Sequence, residues 1–272
     1  MGIFDGCLLV SDIDGTLAVD GKLVARNLEA VERFKAAGGV FTIATGRGPT
    51  AAKALCQKAR INAPALLSNG SVLFDTQTET VLSAEHLRKE AKDFTYKILA
   101  KFKNVGAEVT LTDCILTLQE NPDTVIHREK EEFKLLKLPK AEAVKNDWIK
   151  VLFMTSNKEE YRDLCEYMDK NCPKDSQLMA TSPTFYELHP KGVNKGLGLK
   201  KLAMLLKIPE TKVFAIGDYY NDREMIAAAA VGACVAHSPE ELKTIAQFVG
   251  GKAENGAVAD FIDYLTEQKH QR

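Results

Sequence analysis

The sequence lacks long apolar runs, and it carries almost no net charge. Its longest apolar runs, such as Ala227–Val231 continuing into Gly232–Ala236, are far too short to cross a bilayer. Lysine and arginine total 36 and aspartate and glutamate total 37, which gives a net charge of −1. Aromatic residues amount to 7% of the chain and are not interleaved with basic ones. We therefore expect neither a membrane nor a nucleic acid as a partner.

Cysteine pairing is missing as well. The six cysteines form no CxxC pair and show no metal-ligand spacing. The first residues contain Asp5 but no basic segment of the kind that opens a signal peptide. Without export, the cysteines are expected to be reduced and mostly buried. The sequence thus predicts a cytoplasmic protein.

What is present is the composition of a globular protein. Of the 272 residues, 45% are hydrophobic and 27% are charged, which excludes wholesale disorder. The length suffices for one large domain or two modest ones. No sustained heptad pattern indicates an oligomeric state.

Strand and helix patterns alternate in the first 82 residues and again after Lys191. Such alternation indicates βαβ units, and hence a Rossmann-like, doubly wound parallel sheet of the α/β class. The predicted strands are Cys7–Ser11, Val40–Ala44, Ala65–Ser68, Val213–Ile216 and Val231–Val235, with a small hairpin at Val72–Phe74 and Thr80–Leu82. The predicted helices are Arg26–Ala37, Thr50–Ala59, Gly196–Leu206, Asn221–Ala230, Pro239–Ala246 and Val258–Glu267.

The region between these two parts has an α+β pattern. We predict that residues 83–189 form a domain inserted into a core that consists of residues 1–82 and 190–272. The predicted helices of the insert are Glu85–Phe102 and Lys158–Asn171. Its predicted β-rich stretches are Glu108–Leu118, Thr124–His127 and Ile149–Thr155, with a closing strand pair at Leu178–Thr181 and Phe185–His189.

Two acidic motifs stand at predicted strand ends, where open parallel sheets bind ligands. The first is Asp12-Ile13-Asp14-Gly15-Thr16, whose two carboxylates suit a divalent cation such as Mg²⁺ and a nucleophile for phosphorus. An Asp-Gly turn explains this pentapeptide equally well. The second, Gly217-Asp218-Tyr219-Tyr220-Asn221-Asp222, adds two acids and an amide. Helix capping accounts for Asn221 and Asp222 but leaves Asp218 unexplained.

Two further stretches suit an anion. Thr45 and Gly46 follow a predicted strand and precede a helix, which is typical of a phosphate cradle and of a simple capped turn. Lys195 lies at the start of a predicted helix, where it would neutralise a phosphate or the nucleophilic carboxylate, or remain solvated. Neither stretch completes a Walker A or GxGxxG motif. Taken together, the four stretches predict a site for Mg²⁺ and phosphate.

In their order and residue types, the four stretches resemble the motifs of the haloacid dehalogenase (HAD) superfamily. Within it the chain resembles the Cof-type phosphatases with a C2 cap, and the resemblance extends to Ser68-Asn69-Gly70 and Asn255-Gly256-Ala257-Val258. It implies a Mg²⁺-dependent phosphatase that acts on small phosphorylated metabolites, such as sugar phosphates or phosphorylated cofactors, through an aspartyl-phosphate. A phosphosugar mutase or phosphotransferase, and a catalytically idle binding module, are the alternatives.

The resemblance also implies roles for individual residues. Asp12 would be the nucleophile, and Asp14 the acid that protonates the leaving alcohol and later the base for water. Asp12, the main-chain carbonyl of Asp14 and Asp218 would hold the metal, with Asp222 acting on its waters. The residues that would bind the phosphoryl oxygens are Ile13, Thr45, Gly46, Lys195 and Asn221.

The insert would be the cap that determines substrate specificity, with hinges near Leu82–Glu85 and His189–Gly192. Tyr186, Glu187 and His189 are candidates to face the substrate or to be ordinary core or surface residues, and Trp148 is expected in the cap core. In one departure from the family, Val235-Ala236-His237-Ser238-Pro239 replaces a Gly-Asn-Ala segment. His237 would either alter the rim of the site or lie in a surface turn.

Overall fold

The computed structural model describes residues 2–131 and 135–271. The chain divides into two compact units. The core unit comprises Met1–Gly46, Lys53–Leu82 and Asn194–Arg272, and the inserted unit comprises Arg47–Ala52 and Ser83–Val193. Among the described residues, no helix combines the length and the apolar character that crossing a membrane requires.

The secondary structure follows the chain in three segments. The first contains β1 (Leu8–Ser11), β2 (Ala18–Val19), β3 (Lys22–Leu23), α1 (Ala25–Ala36), β4 (Val40–Ile43), α2 (Pro49–Lys58), β5 (Ala65–Leu67), β6 (Val72–Asp75) and β7 (Thr80–Ala84). The second contains α3 (Lys89–Lys101), β8 (Gly106–Thr110), β9 (Ile115–Gln119), α4 (Pro122–Glu131), β10 (Leu135–Leu136), α5 (Lys140–Ala143), β11 (Lys150–Met154), α6 (Lys158–Asn171), β12 (Ser176–Ser182) and β13 (Phe185–Pro190). The third contains α7 (Lys195–Leu205), β14 (Val213–Gly217), α8 (Arg223–Ala228), β15 (Val231–Cys234), α9 (Glu240–Ile245), β16 (Phe248–Val249) and α10 (Ala257–His270).

The core unit is built on a five-stranded sheet in the order β16-β15-β14-β1-β4, and every pairing is parallel. Leu8 and Val10 of β1 share a hydrophobic core with Leu199 and Leu202 of α7. Helix α1 packs against β4 and α10. A strand whose residues are all buried needs the continuous apolar sequence that β1 has, because both faces of the sheet are covered. The predicted α/β class is thereby confirmed.

The predicted third strand does not extend this sheet. Strand β5 pairs antiparallel with β6 in a separate three-stranded sheet, and its Leu66 forms a parallel bridge with Ala44, the residue that follows β4. The six cysteines are free, and Cys7, Cys56 and Cys234 are buried.

The inserted unit contains a six-stranded sheet in the order β10-β9-β8-β11-β13-β12. One face of this sheet packs against α3 and α6. Trp148 is fully buried in that core, as predicted, and its indole N–H donates to the carbonyl of Ala143 at 2.8 Å. Burying the indole with its N–H satisfied stabilises the unit.

The prediction of a β-rich stretch at Thr124–His127 is wrong, because these residues lie in α4. Asn121 caps this helix: its Oδ1 accepts the N–H of Thr124 at 2.9 Å, and its own N–H donates to Thr124 Oγ1 at 3.0 Å. Pro122 occupies the first helical position, which suits its fixed φ. The β-branched residues of the segment favoured a strand, but the cap and the proline outweigh that preference.

Candidate active site

Asp12 and Asp218 follow two neighbouring parallel strands. Asp12 comes directly after β1 and Asp218 directly after β14, and the strands pair with Ser11 opposite Ile216. The main-chain N–H of Asp12 donates to the carbonyl of Ile216 at 2.9 Å. Because the strands run in the same direction, both aspartates reach the carboxyl edge of the sheet, where open α/β sheets bind ligands.

Lys195 places a positive charge beside these acids. The side chain of Asn194 caps α7 by accepting the N–H of Leu197 at 2.7 Å, and Lys195 is therefore the first helical residue. Its Nζ lies 2.6 Å from Asp12 Oδ1 and 2.6 Å from Asp222 Oδ1. The lysine is fully buried, so these carboxylates replace water as partners of the ammonium group.

Asp222 holds the loop after β14. Its Oδ1 contacts Lys195, and its Oδ2 accepts the main-chain N–H groups of Asp218 at 3.0 Å and Tyr219 at 3.1 Å. Gly217 permits this close approach, because a β-carbon there would lie 2.4 Å from Asp222 Cγ. Both oxygens of Asp222 are engaged by groups of the chain itself, which suits a positioning role.

Asp218 is the least buried of these three acids, with a side chain that is 14% exposed. The hydroxyl of Thr16 donates to its Oδ1 at 3.3 Å. Gly15, at φ +86°, lies against its other oxygen, since a β-carbon at Gly15 would be 2.5 Å from Oδ2. One oxygen each of Asp12, Asp218 and Asp222 lies within 4.8 Å of the others. Such a set of carboxylate oxygens fits Mg²⁺.

The charges of this cluster do not balance. Burial raises the pKa of Asp12 well above its usual range; Lys195 opposes the rise, and the neighbouring carboxylates add to it. Burial and the charge of Asp222 raise the pKa of Asp218 to about 6. Burial alone would lower the pKa of Lys195, but Asp12 and Asp222 raise it, so the lysine stays cationic. One ammonium group faces three crowded carboxyl groups, and a divalent cation would relieve their repulsion.

Ile13 and Asp14 lie in the tight turn that follows Asp12. The carbonyl of Ile13 accepts the N–H groups of Thr16 at 3.2 Å and Ala18 at 2.8 Å, and its side chain is buried. Any contact of Ile13 with a phosphate oxygen would therefore come from its main-chain N–H. Asp14 is exposed, and its charge contributes to the raised pKa of Asp12. The two carboxylates are thus within electrostatic reach of each other.

The predicted phosphate-binding residues Thr45, Gly46 and Asn221 meet at Asn69. The carbonyl of Thr45 accepts the N–H of Asn69 at 2.9 Å, and Asn221 Nδ2 donates to Asn69 Oδ1 at 3.0 Å. A β-carbon at Gly46 would lie 3.3 Å from the same Oδ1. The amide of Asn69 therefore joins the end of β4 to the loop after β14.

Asn69 is the site residue that the sequence reasoning missed. It is fully buried and has a φ of 56°, in the left-handed region. The signal was available, because Ser68-Asn69-Gly70 follows an apolar strand and asparagine tolerates this conformation better than most residues. The sequence did not show that its side chain points toward Asn221.

His237 lies in a turn, half exposed, with its Nε2 3.5 Å from Asp218 Oδ2. Both expectations for this residue hold, because a surface turn also brings it to the rim of the acidic cluster. His237 thus places an imidazole beside the carboxylate of Asp218.

Comparison with known proteins gives a consistent result. Residues 9–262 match the family of haloacid dehalogenase-like hydrolases. An HMP-PP phosphatase of Yersinia pseudotuberculosis serotype O:1b is 24% identical over 266 residues, which cover 97% of this chain and 96% of that protein.

Solved structures are similar over nearly the whole chain. A haloacid dehalogenase-like hydrolase from Bacteroides thetaiotaomicron has a TM-score of 0.86 and 21% identity, covering 95% of this chain and 99% of that one. A sugar phosphatase of HAD subclass IIB has a TM-score of 0.82 and 21% identity, covering 96% of this chain and 99% of that one. At such identity these likenesses show a shared fold.

Proposed function

This chain belongs to the haloacid dehalogenase-like hydrolase family and is a phosphatase of small phosphorylated substrates, and we propose that it hydrolyses phosphoric monoesters through an aspartyl-phosphate on Asp12, with Mg²⁺ as cofactor. The observation that carries the proposal is the 2.6 Å contact of buried Asp12 with Lys195, in a cluster with Asp218 and Asp222.

Asp12 is the proposed nucleophile. Lys195 contacts one oxygen of its carboxylate and so fixes the orientation of the group. A lone pair of the carboxylate forms the new bond to phosphorus, while the bond from phosphorus to the alcohol oxygen breaks and its electrons leave with that oxygen. Because Lys195 stays cationic, it also stabilises negative charge on the phosphoryl group in the transition state.

Asp14 is the proposed acid and base. It donates a proton to the departing alcohol oxygen, and it then accepts a proton from the water that attacks the aspartyl-phosphate. That second step releases phosphate and restores the carboxylate of Asp12. The exposure of Asp14 supports this role, because an acid that must reach both leaving group and water cannot be enclosed.

The groups proposed to bind the phosphoryl oxygens surround this pair. They are the main-chain N–H groups of Ile13 and Gly46, the hydroxyl of Thr45, the amide of Asn221 and the ammonium group of Lys195. We propose that Asn69 positions Asn221 through the 3.0 Å hydrogen bond between their amides.

The residues proposed to hold Mg²⁺ are Asp12, Asp218 and, through its main-chain carbonyl, Asp14. Bound there, the ion would supply positive charge to the transferring phosphoryl group. Asp222 is better suited to hold Lys195 and the backbone of Asp218, since both of its oxygens are already engaged.

We propose that the insert at about 83–189 acts as the cap that selects the substrate. The names of two relatives, an HMP-PP phosphatase and a sugar phosphatase, support small phosphorylated metabolites such as sugar phosphates as the class to test first. A cytoplasmic location agrees with the six free cysteines.

The test is phosphate release from a panel of sugar phosphates, nucleotides, pyridoxal phosphate and p-nitrophenyl phosphate, with Mg²⁺ or with EDTA. The key variant is Asp12→Asn, and the matched control is Asp20→Asn in an exposed turn, whose φ of 49° asparagine tolerates. We expect Mg²⁺-dependent release that Asp12→Asn reduces by about 1,000-fold or more and that Asp20→Asn leaves intact. Phosphate retained on the organic product would instead indicate a mutase or phosphotransferase. No turnover by folded wild-type protein would favour a binding module.

A further inference from the structure

His237 lies in the turn that follows β15, beside the acids at the end of β14. The two strands pair in parallel, with Cys234 opposite Gly217. Asp218 follows Gly217 directly, and His237 comes three residues after Cys234. Because parallel strands end at the same edge of a sheet, both side chains reach the edge that carries the acidic cluster.

The backbone holds the turn of His237 at both ends. The main-chain N–H of Ala236 donates to the carbonyl of Gly251 at 3.1 Å, and that of Ser238 donates to the carbonyl of Val235 at 3.1 Å. The side chain of His237, by contrast, is 49% exposed. Exposed side chains change rotamer rapidly. The turn therefore fixes the position of the backbone, while the imidazole keeps the freedom to rotate.

The separation of His237 from Asp218 is longer than an ordinary hydrogen bond. Its Nε2 lies 3.5 Å from Asp218 Oδ2. Hydrogen bonds between N–H and oxygen are about 2.7–3.2 Å long. Two ligands of one metal ion, each about 2.1 Å from it, lie roughly 3.0–3.4 Å apart at octahedral or tetrahedral angles. A small rotation of the ring therefore lets the imidazole nitrogen and the carboxylate oxygen serve the same ion.

The acidic cluster itself offers oxygen ligands. The carboxylate oxygens that lie within 4.8 Å of one another belong to Asp12, Asp218 and Asp222. Asp218 is the most exposed of the three, so His237 approaches the cluster from the solvent side, through Asp218. The core unit has one other histidine in its sequence, His270, at an exposed position of α10. An imidazole for the ion would therefore come from His237.

An imidazole ligand changes which ion the site prefers. Mg²⁺ is a hard ion that binds oxygen, and nitrogen adds little to its affinity. Late first-row transition ions such as Co²⁺, Ni²⁺ and Zn²⁺ bind imidazole nitrogen well. Carboxylates alone already hold these ions more tightly than Mg²⁺, so the contribution of His237 is the additional affinity that disappears with the imidazole.

We propose that His237 is a nitrogen ligand for the cation of this site, so that late first-row transition ions bind more tightly than the oxygen ligands alone would allow and displace Mg²⁺. This inference rests on the metal site of the function proposed above and names a class of ion for it. All the residues that it involves belong to the core unit.

The test measures the binding of Mg²⁺ and of Co²⁺ to the full-length protein by calorimetry. The variant is His237→Asn, which keeps a polar side chain in an exposed turn. The matched control is His270→Asn, which removes an exposed imidazole from the same unit. NMR supplies a second readout, because paramagnetic Co²⁺ shifts the proton resonances of an imidazole bound to it far outside their usual range.

We expect His237→Asn to weaken Co²⁺ binding about tenfold or more and to change Mg²⁺ binding by less than about threefold. His270→Asn should change neither. Wild type with Co²⁺ should show a shifted imidazole resonance that His237→Asn loses, His270→Asn keeps and excess Mg²⁺ abolishes.

An unchanged affinity for Co²⁺ in His237→Asn would overturn the inference. An equal loss of affinity for both ions would overturn it as well, because His237 would then act only by orienting Asp218. Wild-type protein that binds Mg²⁺ but not Co²⁺ would refute the inference alone, whereas protein that binds neither ion would also refute the metal site of the proposed function.

Discussion

The ammonium group of Lys195 lies 2.6 Å from Oδ1 of Asp12, and neither side chain is more than 8% exposed. Removing the lysine would leave two carboxylates, those of Asp12 and Asp222, buried without their counter-charge. Such a change destabilises the folded state, because a buried charge without a partner has lost its hydration.

We therefore expect Lys195→Met to lower the free energy of unfolding by about 3–5 kcal/mol and to reduce phosphate release by about 1,000-fold or more. Chemical denaturation and a phosphate assay measure the two effects. Lys200→Met, at an exposed position of the same helix, is the control and should change neither. A Lys195→Met protein as stable as wild type would contradict the ion-pair argument.

Asp218 should destabilise the metal-free protein. Burial and Asp222 raise its pKa to about 6 from 3.8, so at pH 7.5 its charge disfavours the folded state. Asp218→Asn should raise the free energy of unfolding in EDTA by about 1–3 kcal/mol. Mg²⁺ should raise the melting temperature of wild type but not that of the variant. Thermal melts in EDTA and in Mg²⁺ test both statements; a variant that is weaker in EDTA and still stabilised by Mg²⁺ would refute them.

We expect activity to require Gly15 for two reasons: its backbone conformation and its close approach to Asp218. It has a φ of +86°, and a β-carbon there would lie 2.5 Å from Asp218 Oδ2. Gly21, in the β2–β3 hairpin, has a φ of +74° and no atom within 4 Å of a β-carbon. Both Gly→Ala variants should lose about 1 kcal/mol of stability from backbone strain. Only Gly15→Ala should also lose Mg²⁺ affinity and turnover, and equal loss in the two variants would argue against the contact with Asp218.

The buried Glu187 should contribute to stability in acid. Lys150 and His189 lower its pKa from 4.5 to about 2, so its contribution is complete above pH 4.5 and is lost as the pH falls toward 2. The effect amounts to about 3 kcal/mol. Denaturation from pH 6 to pH 2 should show a slope that Glu187→Gln removes and that Glu142→Gln, at an exposed position of α5, retains. A slope that persists in Glu187→Gln would assign it to other groups.

Sequence patterns were sufficient to predict those site residues whose placement depends only on the direction of the strands. Asp12 and Asp218 follow apolar runs, and parallel pairing alone then brings them to one edge of the sheet. Lys195 is different, since its contact with Asp12 spans 183 positions and its place at the start of a helix was equally compatible with a solvated lysine.

Other features depend on geometry that no local pattern carries. Asn69 acts through a left-handed backbone conformation and a side-chain contact with Asn221. The approach of His237 to Asp218 depends on the register of two strands. At Thr124–His127 the local signals conflicted, and the Asn121 cap prevailed over β-branched residues.

The split of the core unit has a consequence for biosynthesis. Strand β1 takes one neighbour, β4, from the early chain and the other, β14, from beyond the insert. During translation Asp12 therefore leaves the ribosome long before Lys195 and β14, and its carboxylate must stay hydrated until they arrive. The insert is nearly continuous in sequence, so we expect it to fold first, while the sheet that carries the acids closes only near the end of synthesis.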